Sequence, residues 1–296
     1  MACSPVDARG TGSYHRYELS GHGVIKLVYR FLIMGLLLLA FKAGAVTLEL
    51  DGPLTQGALI RGKTDPGAGV WLDDKPVRVS PEGHFVLGFG RDAEPEHVVR
   101  VVGTEGDAVV RPLRLKKRQY DIQYVNGVEK KYVSPPPETL ARIREDNRKV
   151  REARNQFHAL DGYLETFMSP AKGPISGVYG SQRYFNGEPR RPHYGLDVAA
   201  PEGAPVVAVA SGIVTLAEPD MYFSGGTVII DHGYGVNTSY LHMSKVLVQV
   251  GQRVRQGDLI GRVGKTGRVT GPHLDWRLNW FQERLDPALV VQVAEQ

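Results

Sequence analysis

The chain contains almost no cysteine: Cys3 is the only one among 296 residues. A disulfide framework is therefore excluded, and so is a thiolate metal site, because each needs several cysteines. Cysteine catalysis is excluded as well, since Cys3 lies in a segment that we expect to be removed from the mature protein. A mature chain without thiols suits an oxidising compartment and does not depend on disulfides for stability.

Net positive charge is also scarce outside the N-terminus. The whole chain carries +4, from 36 Lys and Arg against 32 Asp and Glu. Residues 1–45 hold five basic and two acidic side chains, which leaves 31 basic and 30 acidic residues for residues 46–296. This balance gives no support for a nucleic-acid partner, because a strongly basic surface would be needed to attract one.

Long hydrophobic runs are missing too. The apolar stretch Phe31–Phe41 is too short to span a bilayer comfortably, because a transmembrane helix needs about 20 residues. Lys26 and Arg30 precede this stretch, and Ala43-Gly44-Ala45 follows it. A basic flank, a short apolar run and a small-x-small site are typical of an export signal. We therefore predict that residues 1–45 are a signal peptide cleaved near Ala45, or alternatively an uncleaved membrane anchor. Either way, the protein is expected in the periplasm or cell envelope.

Short strand-like segments dominate residues 46–133. Val46–Leu50 alternates between apolar and polar residues, and Val98–Val102 continues the rhythm. Turn signals such as Asp65-Pro66-Gly67 and Pro81-Glu82-Gly83 separate these segments. The pattern predicts a small N-terminal β-sandwich-like domain.

Residues 134–167 have a different character. Ser134-Pro135-Pro136-Pro137 is a stiff break, and the segment from Glu138 to about Leu160 is charged, sparsely apolar and free of Gly and Pro. These features predict an exposed linker helix that either spaces two domains or docks across one of them. From about Met168 dense short strands return, which predicts an antiparallel sheet over residues 168–296. The predicted fold class is mostly β, with two β domains joined by an α-helix.

Residues 168–296 place imidazole and carboxylate side chains at three separated positions. Two of these positions are pairs whose members are four or two residues apart, and such members share one face of a strand. Pro192 and Gly195 indicate that the first pair lies on a loop or bulge entering a strand rather than on a helix. Zinc is held by this kind of side-chain set, with one position left open for water. The candidate residues are His193, Asp197, His242, His273 and Asp275.

Residues 170–290 resemble the zinc-dependent cell-wall peptidases of the lysostaphin/LytM type, the M23 peptidase family. The resemblance rests on five segments, namely His193–Val206, Ala210–Val214, Tyr240–Ser244, Gly251–Asp258 and Thr270–Trp276. It implies a β-sheet groove, one zinc ion, and hydrolysis of peptide bonds in peptidoglycan stems or cross-bridges. Carried over by position, the resemblance implies that His193 and Asp197 are zinc ligands. His242 and His273 are then the catalytic histidines, which handle protons and steady the transition state.

Asp275 departs from the family pattern, in which the third ligand is the second histidine of an H-x-H pair. Three interpretations follow: Asp275 itself binds zinc, or His273 takes over as ligand and leaves His242 as the only proton carrier, or the metal has been lost. A carboxylate oxygen and the imidazole Nδ1 both lie two bonds from Cβ. The exchange is therefore sterically feasible if the family's histidine uses Nδ1, and we adopt the first interpretation.

The extra carboxylate has a consequence for charge. Two carboxylate ligands would leave the zinc centre formally neutral, whereas one would leave it at +1. A less positive centre lowers the pKa of bound water less strongly, so activity is expected to be weaker or shifted to higher pH.

The hypothesis from the sequence is an exported zinc metalloendopeptidase, a hydrolase whose partner is a peptidoglycan peptide. The alternative is a metal-poor LytM-like binding module that activates other cell-wall hydrolases. Such hydrolases, or division and envelope proteins, are further candidate partners. Arg183, Arg190 and Arg191 either meet a peptide carboxylate or lie in a solvated loop. His232 is expected to be a turn residue rather than a ligand.

Overall fold

The N-terminal part of the chain folds into a small β-sandwich, as a computed structural model of residues 45–291 shows. Its strands are β1 (Leu48–Asp51), β2 (Leu59–Thr64), β3 (Gly69–Leu72), β4 (Lys75–Val77), β5 (His84–Gly88), β6 (Glu96–Val102) and β7 (Ala108–Arg114). They form two antiparallel sheets with the orders β1-β2-β5 and β4-β3-β6-β7. Val99 and Val101 alternate with exposed neighbours in β6 and pack in one apolar core with Phe85 and Leu87 of β5.

The predicted export signal lies outside the described residues, apart from Ala45. The same holds for Cys3 and for the apolar run Phe31–Phe41. Among residues 45–291, no helix is both long enough and apolar enough to cross a membrane.

The next strand, β8 (Ile122–Val125), leaves the sandwich. It pairs in parallel with β10 (Gln182–Phe185), and β11 (Glu188–Pro189) adds to β10 in antiparallel orientation. β8 falls within the range 46–133 predicted for the N-terminal domain, yet its strand partner comes from the C-terminal part of the chain. Sequence periodicity identifies a strand but not its distant neighbour, so this pairing could not be predicted.

Two helices follow, α1 (Lys130–Val133) and α2 (Leu140–Asn155), with a 3-10 turn at Pro137–Thr139 between them. α2 is shorter than the helix predicted from Glu138 to about Leu160. Its residue Ala153 packs against Leu216 and Ile229 of the C-terminal sheet. Lys149 Nζ also lies 2.8 Å from the carboxylate of Glu218. Of the two roles predicted for the linker helix, the structure shows docking across one domain.

The C-terminal part is built around an eight-stranded antiparallel sheet. Its strands are β9 (Ile175–Gly177), β12 (Leu196–Ala199), β14 (Gly212–Met221), β15 (Gly225–Gly233), β16 (Val236–Met243), β18 (Arg253–Val254), β20 (His273–Trp280) and β21 (Glu283–Leu285). Their order is β18-β14-β15-β16-β20-β12-β9, with β21 paired to β20. The strands β13 (Pro205–Val207), β17 (Lys245–Val246) and β19 (Leu259–Arg262) form a smaller sheet. Two short 3-10 turns lie at Gly162–Leu164 and Pro287–Leu289.

One face of the large sheet carries the core. Along β20, Leu274, Trp276 and Leu278 are fully buried in the main apolar cluster. Strand alternation therefore turns His273, Asp275 and Arg277 to the opposite face. This second face carries the candidate site residues His273 and Asp275.

The sandwich and the C-terminal sheet belong to one compact unit of the chain. Arg61 of β2 donates to the carbonyl oxygen of Tyr163 at 2.7 Å, and Arg118 contacts the Asp286 carboxylate at 2.7 Å. The mostly β fold class, with an N-terminal sandwich, a connecting helix and an antiparallel C-terminal sheet, is confirmed.

Candidate metal centre and active site

Two carboxylates face each other across adjacent strands of the large sheet. β12 and β20 pair so that Asp197 is the direct partner of Asp275, and Leu241 of β16 is the partner of Asp275 on its other side. Both carboxylates therefore lie on one face, through a strand pairing that the spacing within each pair does not predict. Like charges directly opposite each other destabilise a sheet, so this register requires a compensating positive charge.

His193 completes a three-residue cluster with these carboxylates. It lies in the loop before β12, as predicted, and its backbone is anchored by hydrogen bonds to Ser181 and Gly180. Its Nε2 atom is 3.0 Å from Asp197 Oδ1. The candidate ligand atoms of His193, Asp197 and Asp275 all lie within 4.8 Å of one another.

The donor atoms of this cluster fit a metal ion. His193 is 2% exposed and Asp275 is 1% exposed. His193 Nε2 and Asp197 Oδ1 are both buried, and neither has a hydrogen-bond partner although they lie 3.0 Å apart. Unpaired buried polar atoms are costly, and a cation placed between them would satisfy both. One imidazole nitrogen with carboxylate oxygens is a donor set that zinc accepts.

Two glycines leave room for the carboxylates. A Cβ atom at Gly195 would lie 2.1 Å from Asp275 Oδ1, and one at Gly177 would lie 2.3 Å from Asp197 Oδ2. Neither glycine has a positive φ, so space rather than backbone conformation requires glycine at both positions. Gly177 had no sequence signal that linked it to the cluster.

Each carboxylate is also held by an arginine. Arg183 Nη2 is 2.6 Å from Asp197 Oδ2, and Arg277 Nη2 is 2.6 Å from Asp275 Oδ2. Arg277 Nε adds a second hydrogen bond to Asp275 Oδ1 at 3.0 Å. Burial alone would raise the pKa of Asp275, but the Arg277 guanidinium and His193 hold that pKa well below its usual range. Burial acts in the same way on Asp197, whose pKa is nevertheless lowered by His193 and Arg183. Both side chains are therefore carboxylates at neutral pH.

His242 reaches the site through an unusual backbone conformation. Leu241 shares the site face with Asp275, so a regular strand would turn His242 to the core face. His242 instead has φ 68°, in the left-handed region, and the pairing of β15 with β16 is irregular nearby. Strained backbone of this kind often accompanies functional side chains. The predicted hairpin ends just before His242, whereas β16 continues through His242 to Met243.

The ring nitrogens of His242 and His273 have matching environments. His242 Nδ1 is 2.9 Å from the carbonyl oxygen of Thr266, and His273 Nδ1 is 2.9 Å from that of Gly271. A carbonyl oxygen only accepts, so each neutral ring carries its proton on Nδ1 and presents a free Nε2. Those Nε2 atoms lie 4.0 Å from Asp275 Oδ2 and 3.9 Å from Asp197 Oδ1. Burial lowers the pKa of His242 to about 4, so its ring is neutral at pH 7.

All five predicted side chains thus meet on one face of the sheet. Three of them, Asp197, His242 and His273, line a cleft of about 180 Å³, which Gln123, Val125 and Val128 also line. Residues 191–287 match the family described as Peptidase family M23. We call these matching residues the M23 domain.

Several proteins are similar to this M23 domain. The peptidoglycan DD-endopeptidase ShyA of Vibrio cholerae is 48% identical over 87 residues, which are 29% of this chain and 20% of ShyA. An uncharacterized metalloprotease of Haemophilus influenzae is 31% identical over 191 residues, which are 62% of this chain and 35% of that protein. This chain therefore spans a fifth to about a third of the length of these two relatives.

A solved structure resembles more of the chain. The crystal structure of a candidate M23 peptidase from Pseudomonas aeruginosa matches with a TM-score of 0.63 and 29% identity, and it covers 80% of this chain and 95% of that one. The similarity therefore extends beyond the M23 domain into the N-terminal part.

Sequence reasoning overlooked Arg277 and misjudged two other residues. Arg277 is two residues from Asp275 on the same strand face, so the spacing that revealed His273 could also have revealed it. Arg183 was expected at a substrate carboxylate or in a solvated loop, but it contacts Asp197. His232 lies within β15 rather than in the turn, which Tyr234 and Gly235 form with φ 50° and 84°. As expected, His232 is outside the three-residue cluster.

Proposed function

We propose that this protein is an exported, zinc-dependent endopeptidase that hydrolyses peptide bonds of peptidoglycan. The observation that carries the proposal is the buried cluster of His193, Asp197 and Asp275, with unpaired donor atoms, next to two free imidazole nitrogens. The similarity of the M23 domain to ShyA, which is named a peptidoglycan DD-endopeptidase, supports the substrate class.

His193, Asp197 and Asp275 are the proposed ligands of a single zinc ion. When bound, zinc would act as a Lewis acid toward the scissile carbonyl group and toward a water molecule. Asp275 is favoured over His273 as the third ligand, because the three mutually close donor atoms belong to His193, Asp197 and Asp275. Arg183 contacts Oδ2 of Asp197, and Arg277 contacts both oxygens of Asp275, so the two arginines fix the orientation of the carboxylates.

His242 and His273 have different roles in this proposal. Neutral His242 presents an unprotonated Nε2, so it can accept a proton from the attacking water and pass it to the leaving amine. His273 presents its Nε2 on the other side of the carboxylate pair, where its ring is placed to orient the scissile carbonyl group. The contacts of both Nδ1 atoms to backbone carbonyls fix the ring orientations.

One observation favours the alternative of a metal-free binding module. Arg277 already engages both oxygens of Asp275, and Arg183 engages Asp197, so the carboxylates are balanced in charge by arginine. A chain that activates other hydrolases would need no further cation.

Zinc analysis of the purified full chain, paired with digestion of isolated peptidoglycan, distinguishes these functions. We expect one zinc per chain and release of soluble peptide fragments, both of which are lost in His193→Ala. His232→Gln, which changes a buried histidine outside the cluster, is the matched control and should keep both. Absence of metal and of cleavage in the unmodified chain would favour the activator.

Export needs its own measurement. Mass spectrometry of the protein recovered from the envelope fraction should find an N-terminus near residue 46. An intact Met1 in a cytoplasmic fraction would contradict the export signal.

A further inference from the structure

A second cavity adjoins the metal cluster and has an unusual lining. It consists of two connected clefts of about 420 and 220 Å³. Both are lined by Arg268, Arg277 and Arg284, and they reach His193 on one side and His242 and Asp275 on the other. The cavity therefore adjoins the place where a peptide would lie across the cluster.

Five arginines from different parts of the fold line the smaller cleft, of about 220 Å³. They are Arg154 of α2, Arg183 of β10, Arg268 in the loop before β20, Arg277 of β20, and Arg284 of β21, the strand that pairs with β20. Asp275 is the acidic residue in the same lining. It forms an ion pair with Arg277, just as Asp197 forms one with Arg183. Within residues 45–291, Arg154, Arg268 and Arg284 form no ion pair, so three cations remain without a counterion.

Arg154 is the most informative of the three. It is 7% exposed, and its Nε atom is buried without a hydrogen-bond partner. Its Nη2 has only a 3.3 Å contact to the hydroxyl of Ser239. Burial and the nearby charges of Arg277 and Arg284 lower its pKa to about 9, so it is still a cation at neutral pH. A buried, unpaired cation is costly unless an anion joins it.

Arg268 is held in place by aromatic rings rather than by acids. Its guanidinium lies 4.9 Å from the ring centre of Phe185 and 4.7 Å from that of Phe223. Arg284 lies in a similar way over Tyr194, at 4.3 Å. Stacking on an aromatic face leaves the edge donors of a guanidinium free, and these donors match the two oxygens of a carboxylate.

We propose that the three unpaired cations, Arg154, Arg268 and Arg284, form an arginine pocket that binds free carboxylate groups of the substrate peptide beside the bond to be cut. The pocket thereby selects peptides with free carboxylates over peptides in which the same groups are amidated. This inference rests on the proposed peptidase function, but binding in the pocket does not require the metal, because the pocket residues do not belong to the ligand cluster.

The test compares cross-linked muropeptides with the same muropeptides after chemical amidation of their carboxyl groups. Binding to the full chain is measured calorimetrically, with and without zinc. We expect the free-carboxylate form to bind about tenfold more tightly or better in both states, as for a charge-assisted hydrogen bond. Arg268→Gln should remove most of this preference, whereas Arg268→Lys should retain part of it.

Arg151→Gln is the control, because it removes an exposed arginine from the same helix as Arg154. Arg284→Gln replaces Arg268→Gln if the latter fails to fold. Equal binding of the two peptide forms would overturn the proposal, and so would inorganic phosphate that binds as tightly as the free-carboxylate peptide. A carboxylate preference without any cleavage would refute the peptidase and leave the pocket intact. Cleavage of both forms at equal rates would refute the pocket and leave the peptidase intact.

Discussion

The sandwich and the M23 domain differ in the number of ionisable side chains that they bury. Between β1 and β7 the buried polar residues are Gln56, Thr64 and Ser80, which carry no charge. The M23 domain buries charged or titratable residues in number, namely His193, Asp197, Asp231, His232, His242, Asp275 and Asp286. Burying such groups costs stability, so their concentration in one region indicates a functional site rather than a scaffold.

Two histidines within the M23 domain refine this contrast. Burial lowers the pKa of His232 and of His242 to about 4 in each case. His232 uses both ring nitrogens, with Ser211 O at 2.8 Å and Thr238 Oγ1 at 2.7 Å. His242 uses only Nδ1 and leaves Nε2 facing the cluster. A depressed pKa alone therefore does not separate these two histidines, whereas the unused ring nitrogen of His242 does.

The largest difference between the two regions should come from neutralising one aspartate in each. Asp197→Asn removes a proposed ligand charge and should abolish peptidase activity together with zinc binding. Asp73→Asn in the sandwich breaks a surface contact to His97 and should change stability by less than about 1 kcal/mol, with activity unaltered. Digestion assays and metal analysis of both variants check this. Full activity in Asp197→Asn would remove the functional distinction between the regions.

Arg277→Gln should have the next largest effect. It leaves the buried Asp275 carboxylate without its partner, which should destabilise the fold by roughly 3 kcal/mol. Zinc affinity should fall by about 10- to 100-fold, as for other residues that orient a ligand. Thermal unfolding and chelator competition measure the two effects, and Arg277→Lys should recover part of each. Unchanged zinc affinity would show that Asp275 needs no orienting partner.

His232 should give the M23 domain a pH-dependent stability. Its pKa of about 4 in the fold lies below the ordinary value of 6.5, so the unfolded chain takes up a proton first as pH falls. The resulting loss of unfolding free energy is absent above pH 6.5 and should reach on the order of 2 to 3 kcal/mol at pH 4. Denaturant unfolding across this range should show a shallower slope for His232→Gln than for the half-buried control His97→Gln. Identical slopes would contradict the assignment.

The smallest expected effect on zinc binding comes from Asp275→His, which restores the residue type that the resemblance implies at this position. Zinc should be retained, and the lower limb of the pH–rate profile should move to lower pH, because a less negative ligand set leaves the ion more positive. Metal content and pH–rate profiles measured in parallel are the check. An unchanged profile with unchanged zinc content would refute Asp275 as a ligand.

Periodicity explains what the sequence could predict of the site. His193, Asp197, His273 and Asp275 lie at strand entry or at spacings that share a strand face, so local rules bring each pair together. The pairing of β12 with β20 then joins the pairs. His242 was predicted as a site residue by position in a motif, but no local rule predicts the left-handed φ that turns it to the correct face.

Tertiary contacts explain what the sequence could not predict. Arg154 lies on the linker helix, and only docking of α2 on the sheet brings it to Ser239. β8 joins β10 through a pairing between residues about 60 positions apart. Neither contact leaves a periodic signal. The sequence therefore contains the arginines of the pocket but no signal that they lie together.

Anomalous diffraction from crystals of the zinc-loaded protein tests the central claim most directly. We predict a single zinc peak bonded to His193 Nε2, Asp197 and Asp275, with His242 and His273 beside it but not bonded. A peak that bonds His273 in place of Asp275 would contradict the ligand assignment. Absence of any peak, with Asp275 still held by Arg277, would contradict the metallopeptidase.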